Sequence, residues 1–218
     1  MHSTLAESPI GRTLAAARLL LIVATLALFA RPALAADPRA FTDGLGNEVI
    51  GILKVHDMAM PEREHRFREL FTRNFDAPAI GRFVLGTYWQ KTSPDEQKRY
   101  LDLFSDYVAA IYAVQFSGYQ GETFKTIDTQ PITGGDAAVR AEIARPEKPP
   151  LHIVFRVRPG GEGYKIVDVS VEGVSLIITK REEFASVLGK EGLGGVMTRM
   201  QTVVKNTTAA AARAQSDG

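Results

Sequence analysis

Hydrophobic spacing changes period once along this chain, near residue 120, and that change restricts the fold more than any other feature. Before it, apolar residues recur at helical intervals. Leu45, Val49, Ile52 and Leu53 fall close to a 3.6-residue period, which predicts a helix over Phe41 to Met58. Pro61 opens a second helix, with Phe67, Leu70 and Phe71 on one side and Glu62 and Glu64 suited to its first turn. Asp76-Ala77-Pro78 is an N-cap start for a short helix, Ile80 to Gly86. Ser93-Pro94-Asp95-Glu96 is a capping box with proline at the first helical position, and its helix is expected to reach about Gly118.

Past residue 120 the period falls to two. Glu122 to Gln130, Ala137 to Arg145, Leu151 to Arg158 and Tyr164 to Val171 each read as strands. In the third, Leu151, Ile153, Phe155 and Val157 alternate with His152, Arg156 and Arg158, and only Val154 breaks the polar face. Gly134-Gly135, Pro149-Pro150 and Gly160-Gly161 are the expected turns. Thr179-Lys180-Arg181-Glu182 reads as a second capping box, opening a helix toward Leu188. Gly192 to Gly195 divides that helix from a last one, Val196 to Ala210. Helices, then a four-stranded antiparallel meander, then helices make an α+β fold with the sheet folded over the helices.

The N-terminus reads as an address. Arg12 and Arg18 precede a 12-residue stretch, Leu19 to Ala30, apolar apart from Thr25, and Ala33-Leu34-Ala35 follows the break at Pro32. The apolar stretch is short for a membrane span, and small residues at its end suit signal-peptidase cleavage, so residues 1–35 are expected to be a signal peptide. The remainder divides into a domain over 36–206 and an Ala-rich, then polar, flexible tail over 207–218. The full chain carries 26 Lys and Arg against 25 Asp and Glu. Taking away Arg12, Arg18, Arg31 and Glu7 turns its formal charge from +1 to −1. No basic excess is left for nucleic acid. With no cysteine in the chain, thiol catalysis and thiolate metal sites are excluded.

Little else suggests catalysis. His56, His65 and His152 lack ligand spacing, and no H-E-x-x-H, G-x-S-x-G or P-loop occurs. Asp102 and Asp106, one turn apart, lie opposite Leu103, Phe104 and Tyr107 and read as a solvated face. Asp168, flanked by Val167 and Val169, leaves three readings open. It is a base in an apolar cavity, a solvent-facing residue, or the partner of an Arg on the neighbouring strand. The first, paired with Tyr107, is the isomerase or hydratase alternative. The apolar pattern says more. The long helix carries Tyr100, Leu101, Leu103, Phe104, Tyr107, Val108, Ile111, Tyr112, Val114 and Phe116, a stripe wider than one flat contact with a sheet requires.

Two stretches resemble a known family. Phe75-Asp76-Ala77-Pro78-Ala79-Ile80-Gly81-Arg82-Phe83-Val84-Leu85-Gly86-Thr87-Tyr88-Trp89, followed by Ser93-Pro94-Asp95-Glu96-Gln97, is the first. The second is Tyr164-Lys165-Ile166-Val167-Asp168-Val169-Ser170-Val171-Glu172-Gly173-Val174-Ser175-Leu176, with Arg181-Glu182-Glu183-Phe184 behind it. Together they resemble the MlaC or toluene-tolerance family of periplasmic lipid-binding ABC-transporter auxiliary proteins, over about Phe41 to Gln201. The hopanoid-associated HpnM branch carries the same motifs, which do not separate the two.

The resemblance implies an NTF2-like fold, in which helices pack on a curled four-stranded antiparallel sheet and enclose an apolar cavity for acyl chains. It implies a carrier, not an enzyme, with no metal or cofactor. The cargo would be a phospholipid, or a hopanoid lipid in the alternative. Its partners would be an inner-membrane ABC transporter with an MCE-domain protein and an outer-membrane lipoprotein and porin complex. Carried over, the cavity residues are Phe83, Leu85, Tyr88, Trp89, Phe104, Tyr107, Val108, Ile111, Phe155, Val169, Val171, Val174 and Leu176.

Overall fold

Proline stands in the first turn of each of the first four helices among the described residues, where its missing N–H leaves no bond unmade. These helices are α1 (Pro38–Leu53), α2 (Met60–Asn74), α3 (Ala77–Leu85) and α4 (Pro94–Gln115), with a 3-10 segment, Gly86–Lys91, between the last two. They come from a computed structural model that describes residues 37–116, 119–161 and 163–216, with side chains to residue 210. The expected signal peptide, residues 1–35, lies outside the described residues. Among the described residues no helix is long and apolar enough to cross a membrane.

Side chains fix the starting points. Asp37 accepts from the Arg39 N–H at 2.9 Å, so α1 begins three residues ahead of the expected Phe41. It also ends at Leu53 and not at Met58; the Val55 carbonyl beyond it accepts from Arg63 Nη2 at 3.2 Å. Asp76 caps α3 through the Ala79 N–H at 3.1 Å. At α4 the capping box is complete: Ser93 Oγ accepts from the Glu96 N–H, and Glu96 Oε2 accepts from the Ser93 N–H.

The sheet has strands β1 (Thr123–Pro131), β2 (Ala137–Arg145), β3 (Lys148–Gly160), β4 (Gly163–Val171) and β5 (Val174–Ser175), antiparallel and in sequence order. That is one strand more than the period predicts. β5 is only two residues long, too short to alternate visibly, and joins β4 through Glu172 and Gly173, both at positive φ. That pair has the backbone signs of the hairpin turn matched to strand twist. The turn between β2 and β3 also differs from expectation. It lies at Pro146 and Glu147, with Glu147 at φ 56°, while Pro149 and Pro150 belong to β3. Proline is tolerated there because the register shifts between Ile143 and Arg145, leaving an irregular stretch with no full ladder.

After β5 the chain forms α5 (Leu176–Ser216), broken at Gly192, whose φ of 66° and ψ of −166° suit glycine alone. The expected division near Gly192–Gly195 is therefore present. The cap is not where the capping-box pattern put it. Ser175 Oγ accepts from the Ile178 N–H at 3.1 Å, and Thr179 instead donates to the Ser175 carbonyl. Strand pairing of Ser175 with Ser170 sets the helix start four residues early. The backbone is also helical through Thr207 to Ser216, where a tail was expected; its Ala-rich composition is the best helix former.

These elements build two cores on one shared helix. In the first, Val139, Ala141, Ile153, Phe155, Val157 and Ile166 of the sheet face Leu45, Ile52 and Leu53 of α1, Phe67 and Leu70 of α2, and Ala109 and Ala113 of α4. In the second, Phe71 of α2, Ile80, Val84 and Leu85 of α3, and Tyr100, Phe104 and Tyr107 of α4 pack with Phe184, Leu188, Val196 and Met200 of α5. The stripe on α4 is wide because it serves both. Where an enclosed apolar cavity was expected between sheet and helices, these side chains pack directly on one another, as dense interiors do. Phe75 packs against both cores, and the adjoining Asp76 N–H donates to the Ile166 carbonyl at 3.0 Å.

Two positions test this packing. A methyl group at Gly46 would overlap the Phe124 ring, which stands edge-on to Phe155. Gly46→Ala should therefore destabilise the fold by about 1–3 kcal/mol in urea denaturation. Asp136, 2% exposed, accepts from Arg156 Nε at 2.6 Å and from Arg158 Nε at 2.9 Å. The Arg158 hydrogen bond, more than burial opposes, holds its carboxyl below the usual range. Its contribution is complete above about pH 4 and is lost as pH falls through the lowered value. Asp136→Asn should thus cost stability at pH 7, and urea curves should show the gap to wild type narrowing in acid.

Candidate functional site

The second core is aromatic along α4. Tyr100 is fully buried and stacked on Phe104 with ring centroids 5.7 Å apart; its hydroxyl donates to the Gly81 carbonyl at 3.1 Å. Burial pushes this phenol far above its ordinary titration range. Gly81 lets α3 approach so closely, since a Cβ there would press on Leu101 and Tyr100. One turn on, Phe104 and Tyr107 meet Phe184 of α5 at 6.4 and 6.0 Å.

The two sequence signatures meet around this cluster. Arg181 Nη1 donates to the Phe83 carbonyl at 2.9 Å, and its guanidinium lies 4.6 Å from the Phe83 ring centre. The same guanidinium closes on Gly86, which has φ 59° and no room for a side chain. Asp168 is also committed locally. Its Oδ1 accepts from the Ser175 hydroxyl and the Val169 N–H, both at 2.8 Å. That carboxylate therefore holds the residue that caps α5. Its contacts are not those of the Arg-paired reading, and Asp168 is half-buried. Asp102 and Asp106 pair with separate cations, Lys98 and Arg68, each at 2.7 Å on the exposed side. Among the described residues no three His, Asp or Glu side chains gather as metal ligands.

The thirteen expected cavity residues divide between the cores. Leu85, Tyr88, Trp89, Phe104, Tyr107, Val108 and Ile111 belong to the helical core, and Phe155, Val169 and Val171 to the sheet core. Three stand apart: Phe83 is 44% exposed, Val174 59% exposed, and Leu176 half-buried. Trp89 lies under the Arg82 guanidinium, and the Tyr88 hydroxyl reaches the break at Gly192.

The structure adds a groove that periodicity did not single out. It has a volume of about 370 Å³ and lies between α4 and both limbs of α5, lined by Tyr107, Phe184, Val187, Val196, Met200 and Val203. Glu183, Ser186 and Arg199 are at its edge. Lys180 reaches the same place: its ammonium donates to the Tyr107 hydroxyl at 3.1 Å and pairs with Glu183. Phe184 lies in the Arg181-Glu182-Glu183-Phe184 stretch of the second signature, so its presence has a sequence signal. The partners beyond Gly192 had none, because only the fold-back at that glycine brings them to α4.

Comparison with known proteins shows what this chain is similar to. The family model described as MlaC protein matches residues 44–202. The intermembrane phospholipid transport system binding protein MlaC of Haemophilus influenzae is 24% identical over 126 residues, which is 56% of this chain and 58% of that protein's length. The fold is similar to that of a phospholipid-binding protein from Ralstonia solanacearum solved in complex with a phospholipid. The TM-score is 0.70 at 18% identity, over 79% of this chain and 99% of the other.

The Asp168–Ser175 contact can be measured directly. Asp168→Ala and Ser175→Ala should each destabilise, and a double-mutant cycle in urea should return a coupling of about 1 kcal/mol. Additive losses would mean that the two residues act separately.

Proposed function

The chain belongs to the MlaC family, and from that premise we propose that it is a periplasmic carrier that holds phospholipid acyl chains and shuttles lipid between membrane components. The match of the family model over residues 44–202 carries this reading. The described fold supports it, being similar to that of a protein solved with a phospholipid. The shuttle would run between an outer-membrane complex and an inner-membrane ABC transporter with an MCE-domain partner, and the signal-peptide pattern in residues 1–35 fits that compartment.

The physical task requires no catalyst. Covering a two-chain lipid's roughly 30 methylenes is worth about 24 kcal/mol against water. No protein realises more than about 18–21 kcal/mol of affinity, so that gross figure is never net binding energy. The competitor is the bilayer, which covers the same methylenes. Exchange between carrier and membrane is then close to balanced, and docking to a partner can set its direction. The acyl chains enter where the two cores join along α4. Val108, Ile111, Val169, Val171 and Leu176, all half-buried, move apart there with less loss of packing than Phe104 or Phe155. A carboxylate engaged with Ser175 and the Val169 N–H supports a binding role over an Asp168-dependent isomerase.

Native mass spectrometry of protein purified gently from its host should show a bound phospholipid, several hundred daltons above the mature chain. A hopanoid mass would assign the other cargo, and a clean unliganded mass would overturn the carrier reading. Ile111→Glu, which sets a charge among the half-buried residues, should abolish the lipid-bound peak while the chain stays folded by circular dichroism.

A further inference from the structure

Lys180 is an unusual lysine for a surface helix. Its side chain is 26% exposed, against 78% for Lys98, and its ammonium rests against the Tyr107 hydroxyl at 3.1 Å, with the ring centre 5.4 Å away. Burial works against its charge, but Glu183 and the Tyr107 hydroxyl outweigh that and raise its pKa above the ordinary value. Burial raises the pKa of the nearby Tyr112 phenol and the Lys180 charge opposes that rise; its ring stacks on Phe116 beside the sheet core. The Lys180 ammonium on α5 thus rests against Tyr107 of α4, at the apolar groove that Tyr107 and Glu183 both line.

Its counter-charge is replaceable. Glu183 lies one turn away on the same helix and is 53% exposed, so it can return to water at little cost. Neighbouring cations are engaged elsewhere: Arg181 with the Phe83 ring and carbonyl, Arg199 with Glu191 at 2.6 Å. The Tyr107 hydroxyl accepts from Lys180 and keeps its own proton to donate. Two donors therefore converge beside an apolar groove, an arrangement suited to an anion attached to a hydrocarbon.

Building on the carrier reading above, we propose that Lys180 and Tyr107 form the binding site for a phosphodiester headgroup, with Glu183 as the internal carboxylate that the phosphate displaces. The acyl chains supply affinity, and this pair selects an anionic over an uncharged lipid. Glu183 holds the ammonium in place until the lipid arrives and competes with it afterwards.

The test uses the full mature protein, vesicles containing either phosphatidylglycerol or diacylglycerol of the same acyl chains, and inorganic phosphate as a soluble anion. Lys180→Gln should weaken phosphatidylglycerol binding about tenfold and leave diacylglycerol binding unchanged, with Lys180→Arg restoring most of the loss. Glu183→Gln, at an exposed position that should not disturb folding, should strengthen phosphatidylglycerol binding about threefold. Inorganic phosphate at millimolar concentration should not compete, because it lacks the acyl chains. Equal losses on both lipids, no change on either, a weakening by Glu183→Gln, or full competition by inorganic phosphate would each overturn the headgroup site. In all of those cases wild type still takes up lipid. Wild type that binds neither lipid would instead sink the carrier reading, and the headgroup site with it.

Discussion

One helix with apolar residues on more than one side organises the rest of this structure. Ala109 and Ala113 of α4 lie beneath the sheet, while Tyr100, Phe104 and Tyr107 reach into the helical core. The side-chain sizes fit that division. Alanine lets the sheet come close, and rings fill the wider space between α3 and α5. Had α4 been apolar on a single narrow stripe, the sheet or the C-terminal helix would have had no buried face to pack on.

The dependence continues through a short chain of polar contacts. Asp168 on β4 holds Ser175, Ser175 caps α5, and α5 then delivers Lys180, Arg181 and Phe184 to α3 and α4. Each contact is worth only about 1 kcal/mol, yet together they fix the angle at which the last helix leaves the sheet. The Gly192 break then folds the distal limb back, which gives the groove its second wall. Asp168 and Ser175 of the second signature thus link the sheet to α5. Their chemistry positions α5, and the apolar surface that α5 completes is the part suited to a lipid.

Much of the fold was legible in the residues. The Ser93 capping box, the four helix-opening prolines, the Gly134-Gly135 corner and the strand alternation of β3 are local signals, and local geometry honours them. Two of the misreadings share one cause, which is that strand pairing overrode a local pattern. Thr179 has the residues of a capping box, but pairing of Ser175 with Ser170 sets the helix start earlier. Pro149-Pro150 has the composition of a turn, but register places the turn at Pro146 and Glu147.

The sequence by itself determined the order and type of the longer elements, the family, and the absence of thiol chemistry, because each depends on residue identity and near-neighbour spacing. It also marked α4 as too apolar for one contact. Only the tertiary structure decided that the stripe is divided between two cores, that Asp168 is committed to Ser175, and that Lys180 meets Tyr107 across 73 residues of chain. Such contacts depend on the angle between helices and on the register of strands. Periodicity gives the face that a residue occupies on its own element, and carries no information about what that face meets.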